Sequence, residues 1–572
     1  SLGGGLSVSS CGAGGGSFVI RGGSLTLGDF VMVSSGTLVV DQGGRLDAGG
    51  NGLLVASALR IDGAGTRVTV GDTFVQGFFD PATVSISAGA TLTSRASGVG
   101  PGPGAGVYGL GASASVLVTG TGSRWSVDGG LEIGRSGETF AASVTVADGG
   151  TLVQTSGDIV IAEFGTLNLG AGDKAGTVQL DAGIIRNEGR IVADFTDAAT
   201  LAAVISGGGA LIKTGAGTLT LSGANTYTGA TTVNGGRLVV NGSLASAVTV
   251  DGGATLGGSG TVGGIAVAGG GMVAPGNSIG TLSVAGNVAF AAGSTYQVEI
   301  NAAGQGDRIA ATGTATLSGG TVQVLAEAGN YAAGTRYTIL TANGGVTGQF
   351  AGVSSNLAFL TPTLAHGAGD VTLTMTRNDT GFGPDGGGGS GGGSAGGGSG
   401  GGSGGSAGEP PKPGGGGATG GGGSGPRPYI AATRNQGFIA NAAERLGVGN
   451  PVYDTLVSAT AAEARAGFDL LSGEAHAQGV AVAVGESRLV REAVLGRLRG
   501  SLLPVPGGEV AAGFSADLPS AKGPVAMPAP RLDERFSFWG EGFGAHANPD
   551  GDGNAASLSR RTGGAILGAD LK

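Results

Sequence analysis

One short unit recurs along the first 380 residues: a glycine-rich turn followed by a short strand of alternating apolar residues. It occurs as Gly36-Thr37-Leu38, Gly44-Arg45-Leu46, Ala90-Thr91-Leu92, Gly150-Thr151-Leu152, Gly165-Thr166-Leu167 and Gly217-Thr218-Leu219. It returns as Gly236-Arg237-Leu238, Ala254-Thr255-Leu256 and Gly280-Thr281-Leu282, and Leu219, Leu238 and Leu256 lie 19 and 18 residues apart. A longer repeat overlies it. Residues 59–94 align with 116–154, at an offset of 57 for Gly63/Gly120 and 60 for Val84/Val144, so the copies differ by a three-residue insertion. A fixed period near 20 residues is the mark of a solenoid, in which each repeat buries its apolar face only against its neighbours. The pairs Leu219/Leu221, Leu238/Val240, Val248/Val250, Ile265/Val267 and Leu282/Val284 alternate, which puts them on one face of a strand. Helical spacing is missing. The expected fold is therefore all-β, a right-handed parallel β-helix with glycines at the corners. With roughly 20–25 residues per rung, about 15–19 rungs follow, a rod of about 70–90 Å.

Composition closes off several alternatives. Glycine supplies 128 of 572 residues, but the G-X-Y period is absent and proline numbers only 19, so collagen is excluded. Apolar residues make up 40% and mean hydropathy is +0.24, too apolar for wholesale disorder. Charged residues are 12% with a net charge of −10, which argues against a nucleic-acid partner, because phosphate binding needs clustered Lys and Arg. A single cysteine, Cys11, forbids an internal disulfide. The start lacks the basic and apolar regions of a signal peptide, and no apolar run is long enough for a transmembrane helix.

Beyond the repeats the character changes. Residues 1–204 read as β-helix repeats and 205–378 as its C-terminal section. Residues 379–428 are a Gly/Ser linker with a Pro-rich centre, which as a random coil would span about 35–40 Å. Residues 429–503 read as helical. Thr460 and Glu463 have capping-box spacing, Phe468 and Leu471 share a face, and Gly473 stops the helix. A second helix over about 480–499 interleaves Leu489, Val494 and Leu498 with Arg488, Arg491, Arg497 and Arg499; these arginines fit either a solvated face or an acidic surrounding. Residues 504–534 are a Pro/Ala-rich linker. In 535–572, Phe536, Phe538, Trp539 and Phe543 crowd around Gly540, Gly542 and Gly544, and an apolar strand follows a turn, as in the opening hairpin of an outer-membrane barrel.

Candidate chemistry is sparse. Gly276-Asn277-Ser278-Ile279-Gly280 matches G-x-S-x-G, but a nucleophile elbow needs a strand before it and a helix after it. Here a Pro-Gly corner precedes and an alternating strand follows. The order Ser278…Asp307…His366 can be written, with nothing in the sequence to bring the three together. The expectation is a structural corner in which Gly276 and Gly280 make the turn and Ile279 and Leu282 enter the core. Asp550-Gly551-Asp552-Gly553-Asn554 is similar to the start of a calcium loop, but Ala555 and Arg561 replace its required Gly and Glu, so a hairpin turn is expected. Trp125 alternates with Val127 and is expected to pack in a rung. Residues 1–380 hold 23 acidic and 15 basic residues with no carboxylate pair at rung spacing, and no metal or cofactor is expected.

On these motifs the chain resembles the bacterial autotransporters, the type V secretion proteins. Residues 215–243, "GAGTLTLSGANTYTGATTVNGGRLVVNGS", resemble their passenger-associated transport repeat, and 274–300 the segment that follows it. "GTGSRWSVDGGLEIG" (120–134) is similar to their passenger repeats, 463–477 and 486–499 to the helices leading into the translocator, and 538–570 to its first hairpin. The resemblance implies a passenger that crosses the outer membrane unfolded and folds outside, with an autochaperone-like section at about 205–378. It implies a pore helix whose Arg488 and Arg491 meet an acidic lumen, and a barrel whose first strands include Trp539 and Gly540. Family barrels have 12 strands, so a longer protein is expected around this chain. The self-cleavage dipeptide Asn-Asn is absent from the 480–499 helix. The implied partners are the outer membrane, its barrel-assembly machinery and a host-cell or matrix ligand, with the passenger a monomer. The expected role is a non-enzymatic adhesin or structural surface protein; the alternative is a glycan-acting or other hydrolytic passenger.

Overall fold

The computed structural model describes residues 5–8, 16–48, 52–77, 80–94, 105–137, 139–384 and 427–473, part of 484–499, and the strands at 536–547 and 560–571. Cys11 and the Asp550–Asn554 turn lie outside the described residues. The chain divides into two compact units, Ser1–Asn378 and Asp379–Lys572.

The first unit is a right-handed parallel β-helix with three strands per rung. Its third face is a seven-stranded ladder followed by an eight-stranded one, which puts the rung number at the low end of the expected range. Strict register explains the repeat. Leu46, Val68, Leu92, Trp125, Leu152 and Val178 stack as successive partners on the inner side of that face. Ala199, Leu219, Leu238, Leu256, Val273, Tyr296 and Val322 continue the column. Leu38, Leu59, Val84, Val116, Val144 and Leu167 form an equivalent column on the second face. The recurring turn-strand signal thus occupies more than one position of the rung. Leu38 and Leu167 lie on the second face, most of the others on the third, while Leu282 pairs with Ile309 on the first. The longer repeat corresponds to two rungs, since Leu59 pairs with Val84 and Val84 with Val116.

Corners need left-handed backbone. Among the described residues three of them use a side-chain-bearing residue before the glycine: Gln42 (φ 50°) with Gly43 (φ 80°), Ala88 (φ 51°) with Gly89 (φ 84°), and Asp148 (φ 48°) with Gly149 (φ 76°). Two successive positive φ angles turn the chain sharply enough to start the next strand. Several polar groups inside the rod are paired, although the buried Gln154 Oε1 and Asn187 Oδ1 accept no hydrogen bond. Trp125 Nε1 donates to Ser94 Oγ at 3.0 Å, and Ser94 Oγ lies 2.6 Å from Thr73 Oγ1. Lys213 is buried, with its ammonium 5.0 Å from the Phe195 ring centre, and donates to the Gly215 and Gly235 carbonyls. The C-terminal end is closed by an antiparallel hairpin, Leu360–His366 with Asp370–Arg377, whose second strand also pairs antiparallel with Arg336–Ala342. This ends the parallel ladder and leaves no free parallel edge beside Arg336–Ala342.

Among the described residues of the second unit are three helices, α1 (Arg434–Leu446), α2 (Pro451–Val457) and α3 (Ala461–Leu471), and a further helical stretch within 484–499. Thr460 caps α3 with a full capping box to Glu463, as expected, and Thr433 with Gln436 does the same for α1. Phe468 is buried, but Leu471, expected on the same buried face, is 47% exposed, because α3 ends there. Its last described strands, Phe536–Ala547 and Arg560–Leu571, form an antiparallel hairpin.

Candidate functional sites

The G-x-S-x-G corner is the one sequence match to a catalytic motif, and its geometry is structural. Gly276 has φ +80°, and a Cβ there would strike the Ser278 carbonyl oxygen. Its amide and carbonyl exchange hydrogen bonds with Gly258 at 2.9 and 3.2 Å. Ser278 is exposed, Ile279 is half-buried rather than a core residue, and Leu282 is fully buried. Ile279 stays half-exposed because it sits on the corner itself, two residues before the strand begins at Thr281.

Asp307 ties this corner to the next rung. Its two carboxylate oxygens accept from the Gly280 and Glu299 amides, both at 2.8 Å. Although two amides favour the ionised form, burial outweighs them and pushes the carboxyl up to about 7, with Glu299 and Glu327 adding to the rise. The folded state therefore binds this proton more tightly than the unfolded chain, where the carboxyl titrates near 4. The stabilisation is fully present below about pH 4 and is lost as pH rises through about 7. The unfolding midpoint of the rod is expected to fall between pH 5 and pH 8, and more steeply than in Asp307→Asn. Parallel pH profiles for the two proteins would contradict this.

His366 is engaged elsewhere. Its Nε2 accepts from the Phe350 amide at 3.2 Å, its ring lies 6.1 Å from the Phe350 ring, and burial lowers its pKa. Asp307 and His366 thus each serve a local structural contact, while Ser278 is an exposed residue of the corner. Ser278→Ala is expected to leave folding and any hydrolytic activity unchanged, whereas Gly276→Ala should cost about 1–3 kcal/mol through the positive φ alone. Activity lost in Ser278→Ala with the rod intact by circular dichroism would contradict it.

The other expected positions are placed as follows. Trp125 is fully buried in its rung, between Leu92 and Leu152. Arg488 and Arg491 lie on an exposed helical stretch, and Arg488 Nε donates to Glu492 Oε1, one turn on, at 2.6 Å. Trp539 and Gly540 stand on the first strand of the terminal hairpin, opposite Gly568 and Leu567. Among the described residues no group of three or more metal-ligating side chains occurs, and no helix is long and apolar enough to cross a membrane.

The motifs gave no notice of one arrangement. Phe382, a lone aromatic in a Gly/Pro run, is fully buried against Tyr453 and Phe468, at ring distances of 5.3 and 6.1 Å. A single large apolar residue beginning a glycine-rich segment was the available signal.

Comparison with known proteins identifies a passenger-associated-transport-repeat at residues 211–240, on the rungs that carry Leu219 and Leu238. An extracellular serine protease of Serratia marcescens is 33% identical over 301 residues, covering 51% of this chain and 26% of that protein. A second extracellular serine protease of the same organism is 30% identical over 301 residues, with the same coverage. The chain thus spans about a quarter of the length of the curated relatives it matches. These relatives overturn the expectation of a non-enzymatic protein, since both are named as proteases. The expected adhesin role draws no support from them. The repeats misled here because a β-helix shows its scaffold in every rung, while a catalytic group need occur only once.

Proposed function

The chain belongs to the autotransporters with a β-helical passenger, and we propose that it serves an exported serine hydrolase, with the rod as stalk and folding template. The observation that carries this is the 301-residue similarity to an extracellular serine protease, at 33% identity. The nucleophile is assigned to a serine other than Ser278, whose corner is committed to the rung. In this reading the section 205–378, which holds the transport repeat and the closing hairpin, folds first outside the cell. Each rung then templates the next, because a solenoid's contacts are to nearest neighbours. No ATP is needed, since burial of each rung's apolar face supplies the driving force. The terminal hairpin suits the opening of the outer-membrane translocator: its strands are 12 residues each, against about 9–11 needed to span the hydrocarbon layer at a tilt. The outer membrane and its barrel-assembly machinery are then the partners of that end.

The test is export of the full-length protein from a Gram-negative host. Casein hydrolysis at the cell surface or in the medium, abolished by phenylmethylsulfonyl fluoride, is the expected result. Export of a protease-resistant rod without inhibitor-sensitive hydrolysis would contradict the hydrolase.

A further inference from the structure

The Gly/Ser-rich segment was expected to span tens of ångströms, yet the structure ties its two flanks together. Gly381 N donates to Pro428 O at 2.8 Å, Ile430 N to Gly381 O at 3.3 Å and Ala431 N to Phe382 O at 3.0 Å, so that Gly381 and Tyr429 form a parallel bridge. Residues 385–426 connect these two flanks in the sequence.

The incoming strap, residues 379–384, docks on the helices through four successive residues. Gly381 makes the bridge. Phe382 fills the space between Tyr453 of α2 and Phe468 of α3, and its amide donates to Glu444 Oε2 of α1 at 3.0 Å. Gly383 passes so close to α1 that a Cβ would meet Asn441 Oδ1 at 2.6 Å and Gly437 O at 2.9 Å. Pro384 lies over Gly437, where a Cβ would stand 3.3 Å from its ring. The returning flank adds a latch: Arg427 donates to Glu444 Oε1 at 2.9 Å and to the Asp379 carbonyl at 2.5 Å. Glu444 therefore holds both flanks at once, one oxygen on each. A buried aromatic anchor ringed by hydrogen bonds is the arrangement that carries most of the affinity in a protein interface.

We propose that this clasp is an interaction surface: the helical unit is a receptor for the 379–384 strap, and it keeps the rod attached without covalent help when the chain is cut within 385–426. Cleavage there would not by itself release the passenger; release would be set by the lifetime of the clasp. The proposal is independent of the hydrolase reading, because it concerns attachment and not chemistry.

A thrombin sequence placed in the full chain between residues 400 and 401 tests it. After cutting, the two pieces are expected to co-elute in native size-exclusion chromatography and to separate in denaturant. Phe382→Ala is expected to speed dissociation by at least about 30-fold, the effect of losing one hot-spot side chain. Glu444→Gln, which keeps the size and loses the charge on Arg427, is expected to speed it by a smaller factor. Separation of the wild-type pieces on cutting would overturn the proposal, as would pieces that stay together equally well in Phe382→Ala. Where circular dichroism shows that Phe382→Ala has unfolded the helices, a synthetic peptide of residues 378–386 decides. Added in excess to the cut wild-type protein, it releases the rod if the clasp holds it, and a complex that ignores the peptide overturns the proposal.

Discussion

Replacing Leu238 with aspartate is expected to remove the C-terminal rungs from the folded state and to stop display of the rod. Leu238 is fully buried, stacked between Leu219 and Leu256, which are buried as deeply. Its neighbours along the column are apolar in both directions, so a carboxylate there has no partner. An unpaired buried charge costs several kcal/mol even after its pKa rises to neutralise it. Leu238→Ala, which only opens a cavity, should cost about 2–5 kcal/mol, and Leu238→Ile less than about 1.5 kcal/mol. In a globular core such a loss is shared by many contacts. In a solenoid each rung leans on two others, so a broken rung uncouples everything on either side of it. Limited proteolysis with proteinase K, read by mass spectrometry, checks this: protection should be lost around residues 211–256 in Leu238→Asp and kept in Leu238→Ile. Full protection of those residues in Leu238→Asp would show that the register does not set the core.

Trp125→Ala should produce the second large effect, confined to its own neighbourhood. The indole is fully buried between Leu92 and Leu152 and its Nε1 reaches Ser94. Truncation to alanine should cost about 3–5 kcal/mol, the range for buried tryptophan. Trp125→Phe should cost less, because the ring still fills most of the space and Ser94 keeps its bond to Thr73. Hydrogen exchange reads the local character. In Trp125→Ala the amides of 91–94 and 151–154 should exchange about 100-fold faster, while those of 295–300 stay as they were. Uniform acceleration along the rod would mean that it unfolds as one unit, and unchanged exchange would mean that the indole is not holding the rung.

The fold was legible because a solenoid writes its core into the sequence many times. Leu219, Leu238 and Leu256 could be aligned by eye, and they are register partners in the ladder. The face each strand occupies was less legible, since the same Gly-Thr-Leu signal serves two faces at Leu38 and Leu152. Corners at Ala88 and Asp148 were hidden because positive φ was sought at glycine alone. Ile279 was read as core from its apolar side chain, but its place on the corner keeps it half-exposed. Asp307 could be named as a chemical group but not as the residue that ties the Gly280 corner to the next rung, because the bond crosses 27 residues. The clasp was hidden for a related reason: composition marks a Gly/Ser segment and says nothing of whether the residues flanking it meet. The catalytic reading failed at a different level: a similarity over 301 residues identified relatives named as proteases, while the repeats that dominate the sequence report stacking.

The most direct test of the account is to label the exported full-length protein with a fluorophosphonate probe and locate the modified residue by mass spectrometry. The account predicts one labelled serine, with Ser278 unmodified. Absence of any labelled serine would contradict an exported serine hydrolase, and a label on Ser278 would contradict the assignment of that corner to structure.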